Sequence, residues 1–185
     1  MGEVEVTLDG YRIEPLGPRT WEAFADLAER HNGVWGGCWC TWFHLYPDPP
    51  ERRELGHREF KRQLVEQGRT HAALVFDEDV AVAWAQYGPV EELPNIHHRK
   101  EWEQGLVRRP DFRITCLFVD RRYRRNGMAA VAVRGALGLI ASAGEYMTMP
   151  DRGPSCSWTS CANAAISIVS TSRRQRRMYC NMQPN

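Results

Sequence analysis

Three consecutive segments decide the fold: ITCLFVD (114–120), RRYRRNG (121–127) and MAAVAVRGALGLI (128–140). The first is a continuous apolar run that stops at Asp120, the pattern of a strand buried on both faces. The third is alanine-rich, long enough for a helix, and closes at Gly144. Between them lie Arg121, Arg122, Arg124 and Arg125, then Asn126 and Gly127. A helix N-terminus exposes unpaired N–H groups and a partial positive charge, so it attracts anions. Gly127 lets the backbone approach such an anion without a Cβ in the way. Four guanidinium groups crowded on one turn repel one another unless an anion joins them, and each offers bidentate geometry to phosphate. The unit reads as a pyrophosphate site. It lacks the Gly-Lys-Ser/Thr of a Walker A loop and the G-x-G-x-x-G of a dinucleotide turn.

Upstream, Val4, Val6, Leu8 and then Tyr11, Ile13 alternate with polar residues about Asp9-Gly10, which predicts a hairpin. Thr20 is positioned as an N-cap for a helix with Trp21, Phe24, Leu27 and Ala28 on one face, ended by Asn32-Gly33. Residues 33–50, rich in aromatics and glycine, have no period and read as irregular. Pro49-Pro50 opens a charged helix with a thin stripe of Leu55, Phe60 and Leu64, its charges forming a solvated face. HAALVFDE and VAVAWAQYGP form a second hairpin about residues 77–79, and residues 91–110 are polar and helical in their second half.

The chain has 185 residues, 43% hydrophobic and 25% charged, with a formal net charge of +1. That suits one α/β domain with a sizeable core. The charge balance argues against nucleic acid as a partner, despite the basic cluster Arg173, Arg174, Arg176 and Arg177. No run of about 18 apolar residues offers a membrane span, and no leader pattern opens the chain, so a cytoplasmic location is expected. Six cysteines in such a compartment are expected as reduced thiols, with Cys116 a buried, inert one. Cys38, Cys40, His44, His97 and His98 lack paired zinc spacing, so no metal is expected. Trp35, Trp39, Trp42 and Phe43 read as an aromatic wall, part of it core.

Arg124-Arg125-Asn126-Gly127-Met128-Ala129, with its strand before and alanine-rich helix after, resembles the Q/R-x-x-G-x-G/A motif of the GNAT (Gcn5-related) N-acetyltransferases. The order strand, helix, helix, hairpin, strand in the first half is similar too, and the likeness covers about residues 4–144. It implies a GNAT-like mixed twisted sheet with helices on both faces. It also implies acetyl-CoA as cosubstrate, held by the backbone of Arg125, Asn126, Gly127, Met128, Ala129 and Ala130 with Arg124 beside them. Pantetheine would pair along Leu117, Phe118 and Val119, and an amine of a small molecule or protein would attack the thioester. A homodimer is compatible with this reading. Ile114 to Val119 carry no carboxylate, so the base the family usually places there is missing. Tyr87, Glu91, Glu92, His97 and His44 are alternatives.

From Glu145 onward the patterning changes to a Ser-, Cys- and Arg-rich tail. The resemblance implies further strands and a helix with a Tyr general acid there, but Tyr146 and Tyr179 stand in other contexts. The expectation is an acetyl-CoA-binding domain over 1–144. Residues 145–185 would be an atypical tail, its closing strands divergent, missing or out of frame. A CoA-binding protein without turnover is the alternative function.

Overall fold

A computed structural model describes residues 6–96, 98–106 and 110–143, all within the unit Met1–Thr148. The readings of residues 145–185 and of His97 lie outside these described residues. Strands β1 (Val6–Leu8), β2 (Tyr11–Pro15), β3 (His71–Asp77), β4 (Val80–Pro89) and β5 (Phe112–Val119) form one sheet in that order, every pairing among them antiparallel. Helices α1 (Trp21–Glu29), α2 (Pro50–Glu66), α3 (Arg99–Gln104) and α4 (Met128–Ser142) complete the α/β architecture. None of the helices among the described residues is long and apolar enough to cross a membrane.

Side-chain alternation along the strands explains why β3 and β4 are apolar throughout. Ala72, Leu74, Phe76 and Trp84 face a core completed by Trp21, Phe24 and Leu27 of α1 and Val65 of α2. Ala73, Val75, Ala83 and Ala85 face the other way, against Met128, Val131, Ala132 and Ala136 of α4. Helices therefore cover both faces, as expected, and an antiparallel sheet acquires the continuous apolar runs usually seen in parallel ones. Small residues let α4 lie close: a Cβ added at Gly135 would stand 2.9 Å from Ile13 Cγ2.

Several expectations need correction. Thr20 makes no cap bond to α1. Its hydroxyl accepts from Gly17 N–H at 2.9 Å and donates to the Pro15 carbonyl at 2.9 Å, pinning the β2–α1 connection instead. Leu55 is exposed, just before the kink of α2 at Gly56 (φ 73°) that breaks the helical stripe. The charged face of α2 is not wholly solvated, since Lys61 is completely buried beside Phe60. Strand β5 is only half-buried, because among the described residues it pairs with β4 alone. Cys116 is no free thiol: it forms a disulfide with Cys40, with Cα atoms 6.3 Å apart. The partners lie on a loop and a strand 76 residues apart, so spacing could not pair them.

The aromatic segment divides as anticipated, with Trp39 buried and Trp35 exposed. Its backbone is unusual. Six consecutive residues, Asn32 to Gly37, have positive φ, including the β-branched Val34 (57°) and Trp35 (47°). Left-handed backbone costs roughly 1–2 kcal/mol per non-glycine residue. Burial of Val34 and Trp39 in the α1 core offsets that cost.

Candidate functional site

The basic turn is built outward from Asp120. Its N–H donates to the Val82 carbonyl at 2.8 Å, anchoring the end of β5 to β4. Its carboxylate accepts from the Arg122 N–H (3.0 Å) and guanidinium (2.9 Å), with His31 Nε2 at 3.5 Å and Arg30 at 3.7 Å. Burial opposes the charged form, but Arg122 and His31 outweigh it and hold Asp120 well below the usual carboxylate range. Tyr123 donates to Asp77 Oδ2 at 2.6 Å, tying the turn to the β3–β4 hairpin. Arg30, His31, Arg121 and Arg122 line a shallow cleft over Asp120.

With Arg122 committed to Asp120, Arg121, Arg124 and Arg125 stand exposed around the start of α4. Gly127 caps that helix at φ 75°, and open space surrounds the position of its missing Cβ. Backbone conformation, not room, therefore requires glycine there. Ala130 N–H is spent on the Gly127 carbonyl at 2.8 Å, so the helix geometry leaves the Met128 and Ala129 amides without intrahelical acceptors. The ten residues singled out for a cofactor do lie along one continuous path. Leu117, Val119 and Ala130 are half-buried, and Arg124, Arg125, Asn126, Gly127 and Ala129 are exposed. Phe118 stacks on Trp84 at 4.7 Å and Met128 is buried in the α4 core, so these two offer backbone only. The Val119 carbonyl already accepts from Arg124 Nε at 3.1 Å.

At the middle of β5 lies a second polar cluster. Ala85 pairs with Leu117 and Tyr87 with Ile114, so Gln86 stands opposite both Thr115 and Cys116, a bulge. Lys61 reaches this point from α2, donating to Gln86 Oε1 at 2.8 Å and Thr70 Oγ1 at 2.7 Å. Thr70 lies 3.2 Å from His44 Nε2, and His44 Nδ1 lies 2.9 Å from the Glu92 carbonyl. Burial brings Lys61 down to about 7 and holds His44 well below its ordinary value. Beside them, His71 Nδ1 sits 3.0 Å from Glu92 Oε2, its ring 5.8 Å from Tyr87.

Of the five residues offered as a base, Tyr87, Glu92 and His44 meet here, whereas Glu91 is exposed. Burial and Glu92 push Tyr87 up to about 12, and His44 has both ring nitrogens engaged, so neither suits proton abstraction near neutrality. The His71–Glu92 pair fits better: an Nδ1–H held by a carboxylate leaves Nε2 as the proton acceptor. Sequence reasoning missed His71, Lys61, Thr70, Gln86 and Thr115. Gln86 and Thr115 carried a signal, each as a polar residue inside an apolar strand. Among the described residues no group of His, Cys, Asp and Glu converges on a metal site.

No family model matches the chain, and no curated protein matches it. A solved structure similar to it is the ribosomal-protein-alanine N-acetyltransferase of Brucella melitensis biovar Abortus 2308. The likeness has a TM-score of 0.45 at 12% identity, covering 89% of this chain and 93% of that one. What the chain does must therefore be read from its own residues.

Proposed function

We propose that the chain transfers an acetyl group from acetyl-CoA to an amine of a small molecule or protein, with residues 1–144 as the acetyl-CoA-binding part. One observation carries this reading: β5 ends in a turn of exposed arginines that Asp120 and Tyr123 hold against the sheet, directly before the glycine-capped N-terminus of α4. Such a turn suits a pyrophosphate. The half-buried edge of β5 supplies a surface along which an extended amide-bearing arm would pair. In this reading the His71–Glu92 pair accepts the amine proton. A second reading, CoA binding without turnover, draws support from the lack of any carboxylate on Ile114 to Val119.

A thermal melt tests the cofactor. Acetyl-CoA at about a hundredfold excess over its Kd adds about 2.7 kcal/mol, roughly 5 to 10 °C for a chain of this size. Arg124→Ala and Gly127→Val are expected to abolish the shift. A cooperative melt that acetyl-CoA leaves unmoved would remove the acetyltransferase reading. A shift with no acetyl transfer to any amine would favour the second.

A further inference from the structure

The buried network around Lys61 fixes the direction of every hydrogen bond in it. Lys61 Nζ donates to Gln86 Oε1 at 2.8 Å, which turns Gln86 Nε2 away from it. Nε2 then points at Thr115 Oγ1, 3.4 Å away, and donates to it. Thr115 is left with its own hydroxyl proton to give, and among the described residues no acceptor stands within reach of that proton. On the other side, the Glu92 carbonyl accepts only, so His44 Nδ1 carries the proton and Nε2 accepts from Thr70. Thr70 thus turns its lone pairs to Lys61. The completely buried Lys61 amino group is held between two neutral side chains, and one of them leads to the half-buried Thr115 on the β5 bulge.

The reach of a pantetheine arm matches the length of strand between the arginine turn and that hydroxyl. By bond count at extended-chain dimensions, a pantetheine arm runs roughly 16 Å from pyrophosphate to sulfur. The span of strand from Asp120 back to Thr115 is also about 16 Å. We propose that Thr115 donates a hydrogen bond to the thioester carbonyl oxygen, and that Lys61, acting through Gln86, is the positioning residue that aims the Thr115 hydroxyl at it.

This rests on the acetyl-CoA reading above. The amine lone pair forms the N–C bond while the carbonyl π pair moves to oxygen, where the Thr115 O–H meets the growing charge. That pair then returns, the C–S bond breaks with its electrons on sulfur, and the proton lost by nitrogen ends on the CoA thiol. Lys61 touches none of the reacting atoms. Its hydrogen bond polarises the Gln86 amide, and hydrogen bonds in series strengthen one another.

The carbonyl stretch of bound acetyl-CoA, labelled with carbon-13 at the carbonyl, reads this directly in the full chain. Infrared difference spectra are expected to place the band at lower wavenumber than in free acetyl-CoA. Thr115→Val should return it to the free position while calorimetric affinity for acetyl-CoA stays within a few-fold, and Thr115→Ser should keep the shift. Gln86→Glu should also lose it, because the new carboxylate still partners Lys61 but draws the Thr115 proton inward. Lys61→Met should weaken the shift. An unshifted band in bound wild-type protein, or a Thr115→Val band like the wild type, overturns the proposal while leaving acetyl-CoA binding intact. Absence of any calorimetric binding to the wild type instead removes the acetyl-CoA reading, and this inference with it.

Discussion

Lys61 Nζ lies 2.8 Å from Gln86 Oε1, and neither side chain meets solvent. Among the described residues, both hydrogen-bond partners of the Lys61 amino group, Gln86 and Thr70, are neutral. Burying a charge without an ion-pair partner is costly, and the group relieves the cost by releasing its proton more readily. The surroundings act in both directions: burial dominates, Cys38 and Glu92 favour the charged form, and Phe24 presents its ring 5.8 Å away.

The pH dependence of stability follows. Lys61 releases its proton near 7 in the folded chain and near 10.5 when unfolded, so between these values the unfolded chain binds more protons. Stability from this group therefore rises with pH, by about 2 kcal/mol between pH 7 and pH 9. Urea unfolding of the wild type and of Lys61→Met at the two pH values checks it. The wild type should gain relative to the variant, and equal slopes would contradict a Lys61 that ionises inside the fold.

Two glycines of α4 should respond in opposite directions. At Gly135 a methyl group would stand 2.9 Å from Ile13 Cγ2, inside the packed core, whereas at Gly138 nothing lies within 4 Å. Gly135→Ala is expected to destabilise by about 1–2 kcal/mol, the overpacking outweighing the gain in helix propensity. Gly138→Ala should stabilise by roughly 0.5–1 kcal/mol. Thermal unfolding of the pair gives the comparison, and a Gly135→Ala gain would mean that α4 sits farther from β2 than described.

Local periodicity explains what was legible in the sequence. Asp9-Gly10 and the polar residues after Phe76 mark hairpins, and Trp21, Phe24, Leu27 and Ala28 mark the buried stripe of α1, because each signal depends on neighbours in the chain. The Gly127 turn was legible for the same reason. Lys61 was not, since one buried lysine among the many charges of α2 looks like its solvated neighbours until Thr70 and Gln86 are known to meet it. The Cys40–Cys116 pair and the His71–Glu92 pair likewise join segments that only the sheet brings together. The left-handed run Asn32–Gly37 left glycine as its sole trace, because tertiary burial stabilises it against local preference.

Asp120 should dominate the acid limb. Its folded pKa lies well below the unfolded one, so its stabilisation is present above the unfolded value near 3.8 and is lost as pH falls toward the folded one. Asp120→Asn keeps the shape but weakens the bonds to Arg122, and is expected to cost about 1–3 kcal/mol at pH 7. Below about pH 4 the difference between wild type and variant should shrink. A constant difference from pH 7 to pH 3 would mean that the carboxylate is not charged in the fold.

The His71–Glu92 pair gives the sharpest kinetic expectation under the proposed acetyl transfer. With Nδ1 on Glu92 Oε2, the Nε2 of His71 is the nitrogen free to take a proton. His71→Asn should lower kcat for transfer to a primary amine by about 100-fold or more while leaving KM for acetyl-CoA near its wild-type value, since the pair lies away from the arginine turn. Glu92→Gln should cost less, because the amide still accepts from Nδ1 but no longer stabilises the imidazolium. Equal kcat in His71→Asn and wild type would move the base elsewhere in the cluster. A rise in KM for acetyl-CoA with kcat unchanged would instead place His71 in cofactor binding, which its position at the start of β3, opposite Tyr87, argues against.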